Sequence, residues 1–291
     1  MQTTDLVLFA VYVGLLVGLS PSLGGWIASV MDGSPGRLLG FLKPVEQGLY
    51  RGAGVQPAEK MDWRRYTASL LAFNLAGFVL LFGLQLLQHR LPLNPQNLPA
   101  VPWHLALNTA ISFVTNTNWQ AYSGESTLSY LVQMLGLTVQ NFVSAATGLA
   151  VVCALARGIV RRAGTNVGNF WVDLTRSTLY VLLPLALLWA LLLVGQGVVQ
   201  TFQPYVDAHT LEGAVQRIPL GPAASQIAIK QLGTNGGGFF GVNSAHPFEN
   251  PTPLSNFLQC WAILLLPAAL PFAFGRMVGS RRHGWCLFGA M

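Results

Sequence analysis

Five long apolar runs interrupt this 291-residue sequence, and each is long enough to cross a bilayer as a helix. They cover residues 6–31, 66–87, 128–156, 177–194 and 253–275. At about 1.5 Å rise per residue, roughly 20 residues cover the hydrocarbon core of a membrane. Only 9% of the residues are charged, against about 25% in ordinary soluble domains. The pattern predicts an all-α integral membrane protein.

A run rich in glycine lies between the fourth and fifth apolar runs and fits neither a helix nor a half-buried strand. We call it the glycine loop, and it consists of Gly233, Thr234, Asn235, Gly236, Gly237 and Gly238. Irregular backbone at membrane depth is stable only inside protein or beside a water-filled path, because an unpaired polar group in lipid costs roughly 2–7 kcal/mol. Backbone carbonyls that face such a path can replace the hydration shell of a cation. We therefore predict that the glycine loop forms one wall of a cation filter.

A second polar run precedes the third apolar run and supports this interpretation. We call it the first loop, and it consists of Thr115, Asn116, Thr117, Asn118, Trp119 and Gln120. Its Thr-Asn start lies 119 residues before the Thr-Asn pair of the glycine loop. Each loop follows a segment too short to span, residues 103–113 and 223–232, whose C-terminal dipole would favour a cation. Two loops in the same frame predict an internal repeat of helix, pore loop and helix.

The repeat divides the chain into four parts. Residues 1–65 hold the first span and a basic loop, and residues 66–165 hold the first helix–pore loop–helix unit. Residues 166–280 hold the second unit, and residues 281–291 start a further apolar segment.

Positive charges are distributed unevenly among the loops between the spans. Of the 16 lysines and arginines, 13 lie in alternate loops, and only Arg90, Arg217 and Lys230 lie elsewhere. Because cytoplasmic loops carry the excess of lysine and arginine, we expect the N-terminus and both polar loops to face outside. The net charge of +6 lacks the aromatic interleaving of a nucleic-acid surface. The expected surroundings are membrane lipid, with no nucleic acid.

The sequence contains no catalytic motif. Gly236, Gly238 and Gly241 match the spacing of a dinucleotide fingerprint, but that motif needs a preceding strand within a βαβ unit. No phosphate-binding lysine follows these glycines, and no phosphorylatable aspartate motif is present. The three cysteines and five histidines lack metal-ligand spacing. We therefore predict no catalytic residue, no cofactor and no ATP hydrolysis in this chain.

Two acidic residues, Glu125 and Glu249, follow the two loops at similar positions. They are either solvated loop carboxylates or parts of an outer vestibule that concentrates cations. Lys230, within the short segment before the glycine loop, would repel a cation in a nearby path. We expect its side chain to point away from the path or to pair with a carboxylate.

Four longer segments in and around the two loops are specific to a family. They are Phe113-Val-Thr-Asn-Thr-Asn-Trp-Gln120, Leu137-Thr-Val-Gln-Asn-Phe142, Leu232-Gly-Thr-Asn-Gly-Gly-Gly-Phe-Phe240 and Ser244-Ala-His-Pro-Phe-Glu-Asn-Pro251. These segments resemble the family of potassium-binding subunits (KdpA) of the bacterial Kdp potassium-transporting ATPases. The resemblance implies a subunit of the bacterial inner membrane in the channel-like potassium-transporter superfamily. It also implies that backbone carbonyls of residues 115–120 and 233–238 bind K⁺, the only expected metal. The ion would pass to a separate P-type ATPase subunit, which has small accessory subunits.

The resembling family has four helix–pore loop–helix repeats, and this sequence contains two of them. The chain is either a fragment of such a subunit or a half that dimerises to supply four loops. Two further alternatives are a stand-alone channel-like potassium transporter of the same superfamily and a non-conducting membrane scaffold.

Overall fold

The computed structural model describes residues 3–160 and 166–291, and these are mostly helical. The helices are α1 (Thr3–Met31), α2 (Lys43–Gly52), α3 (Trp63–Leu87), α4 (Trp103–Val114), α5 (Gly124–Thr127), α6 (Val139–Val160), α7 (Phe170–Arg176), α8 (Leu183–Gly195), α9 (Ala223–Leu232), α10 (Pro253–Met277) and α11 (Arg281–Ala290). A π-helical segment, Val132–Thr138, leads into α6, and another, Ser177–Leu182, joins α7 to α8. Four short strands form two antiparallel pairs, β1 (Met61–Asp62) with β2 (Asn166–Gly168) and β3 (Val206–His209) with β4 (Val215–Ile218).

Five helical stretches among the described residues are long and apolar enough to cross a membrane. They are Asp5–Met31, Trp63–Arg90, Val132–Val160, Phe170–Gly195 and Pro253–Met277. Each overlaps one predicted apolar run, although the third begins four residues later, at Val132, and the fourth begins seven residues earlier, at Phe170. The predicted all-α membrane architecture with five spans is confirmed. The basic turn that contains Arg161 and Arg162 lies outside the described residues.

Proline does not end the long helices. Pro21 lies inside α1, which continues through it to Met31. Pro267 and Pro271 likewise lie inside α10. In membrane helices, neighbouring helices and local adjustments satisfy the backbone groups that a proline frees.

The described chain divides into two compact units. The first contains Met1–Ala72, Ala146–Pro184 and Cys260–Met291, and the second contains Phe73–Ala145 and Leu185–Gln259. Both units therefore combine segments that are distant in sequence. The four parts that we predict from the repeat divide the chain by sequence, whereas these two units divide it by compactness. The four-part division therefore stays a prediction.

A buried arginine–aspartate pair lies in the first unit. Arg157 donates to both carboxylate oxygens of Asp173, at 2.6 Å from Nη1 and 2.9 Å from Nη2. The hydroxyl of Tyr66 lies 3.1 Å from the same carboxylate. Asp173 is in the first turn of α7, whose N-cap Asn169 accepts hydrogen bonds from two backbone N–H groups of that turn. The carboxylate thus lies at the end of the helix that favours negative charge.

Replacing Arg157 with methionine leaves the buried Asp173 carboxylate without its cation. We expect the free energy of unfolding to fall by about 3–5 kcal/mol, measured as a lower melting temperature of the purified chain in detergent. Arg65→Met is the matched control, because Arg65 pairs with Glu59 at the surface and such pairs contribute about 0–1 kcal/mol. Equal losses for the two variants would contradict the importance of the buried pair.

The second unit contains both short helices that precede the polar loops. With 12 residues in α4 and 10 in α9, their lengths are about 18 and 15 Å, well short of the roughly 30 Å hydrocarbon core. Nine of the ten residues of α9 are buried, so protein rather than lipid surrounds this helix. Around α4, an apolar core of the second unit includes Leu81, Phe113 and Leu137. The unit therefore holds both loops on short, packed helices.

Candidate functional site

Each polar loop leaves the C-terminus of its short helix with the same backbone hydrogen bonds. In each loop, two successive N–H groups donate to one helix carbonyl at 2.9–3.2 Å: those of Thr117 and Asn118 to Ser112, and those of Asn235 and Gly236 to Lys230. The C-cap residues are Thr115 for α4 and Gly233 for α9. All of these equivalent positions are 118 residues apart. The structure thus contains a repeated loop geometry within the second unit.

The two Thr-Asn pairs, which are 119 residues apart, are therefore not structurally equivalent. The backbone instead pairs Thr115 with Gly233, the first residues of the two predicted filter segments 115–120 and 233–238. Helix caps and carbonyl partners determine the path of the loops, and these main-chain features leave little trace in residue type.

Positive φ angles alternate with negative ones along both loops. Asn116 and Asn118 have φ values of 62° and 56°, and Thr234 and Gly236 have values of 57° and 84°. These pairs are again 118 residues apart. Asparagine and glycine tolerate this backbone region, but a β-branched residue such as Thr234 is a genuine outlier there. Outliers of this kind cost about 1–3 kcal/mol and cluster at functional sites.

Amide side chains of the first loop form hydrogen bonds with both ends of the glycine loop. Gln120 Nε2 donates to the carbonyl of Gly238 at 2.9 Å, and the N–H of Gly238 donates to Gln120 Oε1 at 3.1 Å. At the other end, Asn116 Nδ2 donates to the carbonyl of Gly233 at 3.3 Å. The two loops therefore form one hydrogen-bonded arrangement.

The three central glycines of the glycine loop are needed for three different reasons. Gly236 has a positive φ, and open space surrounds the position where a β-carbon would be. A β-carbon on Gly237 would overlap the backbone carbonyl of Asn118, so the two loops approach as bare backbone. A β-carbon on Gly238 would lie 2.8 Å from Cδ of Lys230.

Polar side chains of the third span hold the asparagines of both loops. Asn118 Nδ2 donates to Asn141 Oδ1 at 2.6 Å, and Ser144 Oγ donates to Asn116 Oδ1 at 2.7 Å. The amide of Asn235 contacts both the Asn116 amide and the Ser144 hydroxyl. Each asparagine side chain thus makes at least one contact with protein, although Asn118 Oδ1 is buried and has no hydrogen-bond partner among the described residues. The main-chain carbonyls of the loops are candidate ion ligands.

Several of these supporting residues were not among the predicted site residues. Besides Asn141 and Ser144, Gln133 Nε2 donates to the carbonyl of Phe239 at 3.3 Å, and Gln226 Nε2 donates to Gln133 Oε1 at 3.1 Å. The sequence contained a signal for Asn141, Ser144 and Gln133, which lie in the third span. Polar residues inside a membrane span usually face the protein interior and serve a function.

Lys230 and Glu249 form a buried ion pair behind the glycine loop. Both side chains are 0% exposed, and Lys230 Nζ also lies 3.2 Å from Asn243 Oδ1. The predicted pairing of Lys230 with a carboxylate is confirmed. Burial lowers the pKa of Lys230, and the neighbouring carboxylate opposes this shift by favouring the charged ammonium.

The burial of Glu249 corrects its predicted vestibule role. A vestibule carboxylate must face water to attract cations, whereas Glu249 is enclosed and neutralised by Lys230. Glu125 is partly exposed, and its Oε2 accepts a hydrogen bond from the N–H of Gly241 at 2.7 Å. A vestibule role for Glu125 stays a prediction.

No cluster of three or more His, Cys, Asp or Glu side chains is arranged to hold a metal ion in the part of the chain that the structure describes.

Comparison with known proteins decides the family. The family model "KdpA: Potassium-transporting ATPase A subunit" matches residues 10–291. The chain belongs to the KdpA family. It is similar to the potassium-transporting ATPase potassium-binding subunits of Pseudomonas putida, at 62% identity, and Pseudomonas aeruginosa, at 61%, each covering 100% of this chain and 52% of the relative. The subunit of Rhodospirillum centenum is 59% identical, covering 100% of this chain and 51% of the relative.

The KdpA match covers both polar loops, four candidate spans in full and the first span from residue 10, which confirms the predicted family. With these apolar helices, the chain is a multi-pass membrane protein. It spans about half the length of the curated relatives it matches.

Proposed function

We propose that this chain is a non-catalytic, potassium-selecting part of an ATP-driven potassium uptake complex. The first loop and the glycine loop would take K⁺ from the outer face, through backbone carbonyls. The ion would then pass to a separate P-type ATPase subunit, which small accessory subunits assist. Membership of the KdpA family and the names of the relatives support this proposal.

One observation carries the proposal for the site. The two loops repeat the same hydrogen bonds and the same alternation of φ at an interval of 118 residues, and they are fastened to each other. Main-chain carbonyls of such loops can replace the hydration shell of a dehydrated cation.

The charges around the loops also favour a cation. The C-termini of α4 and α9 end at the two loops, and a helix C-terminus carries a partial negative charge. The positive charge of Lys230, which would repel K⁺, is neutralised by Glu249. The local field at the loops is therefore compatible with K⁺.

Two loops surround about half of an ion, and the family resemblance implies four. The test therefore uses this chain joined to the half of the Pseudomonas putida relative that it does not match. We expect KCl to raise the melting temperature of the purified fusion, since a ligand at about 100 times its Kd stabilises the folded state by about 2.7 kcal/mol. NaCl and choline chloride at the same ionic strength should have little effect. Equal shifts with NaCl and KCl would contradict potassium selection.

The charge distribution predicts the orientation in the inner membrane. We propose that the basic loop at residues 32–65 is cytoplasmic and that the N-terminus and both polar loops face outside. Single cysteines at Ala58 and Pro95, both exposed, test this on a background without the native cysteines. An impermeant thiol reagent added outside intact cells should label position 95 and not position 58. The reverse pattern would invert the proposed topology.

A further inference from the structure

Helix α2 and the turn before it carry an exposed apolar flank that the loops and their spans do not explain. The flank consists of Leu38, Phe41, Val45 and Leu49, which are 87%, 71%, 49% and 52% exposed. Val45 and Leu49 are four residues apart on one side of α2, whereas Leu38 and Phe41 precede the helix. Four large exposed apolar side chains in one short segment indicate a surface with a binding partner.

The remaining sides of α2 have different chemistry. At about 100° per residue, Gln47 and Arg51 lie roughly opposite Val45 and Leu49. Glu46 and Tyr50 are the buried residues of the helix and lie between these two flanks. Pro44 at the start of the helix supplies the fixed backbone angle that a first turn needs. One side of α2 therefore faces the protein, one flank is apolar and the other is polar.

Hydrogen bonds hold α2 level with the ends of two spans. Glu46 Oε1 accepts from Arg176 Nε at 3.0 Å, and Glu46 Oε2 accepts from the hydroxyl of Tyr180 at 2.8 Å. Arg176 Nη1 in turn donates to the carbonyl of Met31 at 2.9 Å. Met31 is the last residue of the first span, and Arg176 lies in the first turns of the fourth. A span ends where hydrocarbon gives way to headgroups.

An exposed tryptophan near α2 also indicates the membrane–water interface. Trp63 begins α3 and is exposed, and the guanidinium of Arg64 lies 5.4 Å from the centre of its ring. Exposed tryptophans at the ends of spans are typical of the membrane–water interface. Since Trp63 follows α2 by only eleven residues, it supports an interfacial position for this segment.

Basic side chains around α2 favour an acidic surface. Arg37, Lys43 and Arg51 are exposed, and none of them belongs to an ion pair found among residues 3–160 and 166–291. Two of the nearby acidic side chains are occupied, because Glu46 pairs with Arg176 and Glu59 with Arg65, while the exposed Asp32 leaves an excess of basic groups in this segment. Free basic groups beside an apolar flank are the pattern of helices that bind acidic membranes.

We propose that α2 lies flat in the membrane surface and binds acidic phospholipids. Phe41, Val45 and Leu49 insert between the acyl chains, while Lys43 and Arg51 contact the headgroup phosphates. A helix of a partner protein or a second copy of this chain would also cover apolar residues. Lipid is favoured over these occupants, because α2 lies at the ends of two spans and its basic side chains are not in ion pairs within the described ranges.

The test places a fluorescent probe on either flank of α2 in the full chain. Leu49→Cys and Gln47→Cys are made on a background in which Cys153 is alanine and Cys260 and Cys286 are serine. Each variant is labelled with an environment-sensitive fluorophore and placed in phosphatidylcholine vesicles that contain phosphatidylglycerol. Circular dichroism of each variant checks that the helix content is unchanged.

We expect headgroup-labelled nitroxide lipid to quench the probe at position 49 several-fold more than the probe at position 47. Aqueous iodide should give the opposite order. In vesicles of phosphatidylcholine alone, the probe at position 49 should become more accessible to iodide. Equal iodide quenching at both positions would overturn the proposal. Protection of position 49 that disappears on dilution with lipid would also overturn it, since it would indicate contact between copies.

A second measurement keeps the native cysteines. A photoreactive amino acid in place of Leu49 should form adducts with phospholipid, detected by mass spectrometry after illumination in the same vesicles. Adducts with protein alone would contradict lipid binding, and the same substitution at Gln47 is the control.

Discussion

Replacing Gly237 with alanine is expected to weaken K⁺ binding, or its preference over Na⁺, by roughly 5- to 150-fold, which corresponds to about 1–3 kcal/mol. The added methyl group would overlap the backbone carbonyl of Asn118. A backbone carbonyl cannot rotate away as a flexible side chain can, so one of the two loops must move. Because ligand distances then change at both loops, affinity and selectivity should fall together.

This prediction is tested in the fusion with the second half of the Pseudomonas putida relative. K⁺ and Na⁺ affinities are measured by titration of the melting temperature. Gly83→Ala is the matched control, because no atom lies within 4 Å of its added β-carbon and alanine favours the helix there. Gly236→Ala distinguishes the effect of backbone strain from that of steric overlap. Alanine is unfavourable at the positive φ of this position, but open space surrounds its β-carbon. Unchanged K⁺ and Na⁺ affinities in the Gly237 variant would exclude this loop as an ion ligand.

Replacing Lys230 with methionine is expected to lower the free energy of unfolding by about 3–5 kcal/mol. The substitution leaves the carboxylate of Glu249 fully buried and without a cation. The methionine side chain also lacks the ammonium that contacts Asn243. Because the carbonyl of Lys230 accepts the N–H groups of Asn235 and Gly236, disorder at this position should also reduce K⁺ binding.

A double-mutant cycle tests the coupling between the two charges. Glu249→Gln alone leaves a buried ammonium, and the double variant Lys230→Met, Glu249→Gln leaves no buried charge. We expect the double variant to be more stable than the sum of the two single losses implies. Melting temperatures of the four fusions provide the measurement. Strictly additive losses would show that the two groups stabilise the protein independently.

The spans and the positions of the two loops were predictable because their signals are local. An apolar run of span length has few alternatives, and the glycine loop cannot be a regular helix or a half-buried strand at that depth. For Lys230 the sequence left two alternatives, pointing away from the path or pairing with a carboxylate, since an unpaired charge beside buried backbone is costly.

Other features depend on contacts that residue types alone do not specify. The pairing of β3 with β4 was missed because most of both strands is exposed, so the alternation typical of a half-buried strand is absent. The burial of Glu249 depends on packing against Lys230, 19 residues away. Helix α2 was interpreted as part of an irregular basic loop, since its apolar flank faces away from the protein.

The carbonyls of Ser112 and Lys230 have a consequence for how the two repeats can diverge. Both residues hold the path of their loops through the main chain, and almost any amino acid provides the same carbonyl, although the side chain of Lys230 has a separate role in its ion pair with Glu249. One position therefore tolerates a small hydroxyl and the other a long cation, while the path of the loop is unchanged. Sequence drift between the repeats is limited by backbone geometry more than by chemical type. A comparison of residue types alone therefore underestimates the structural similarity of the two repeats.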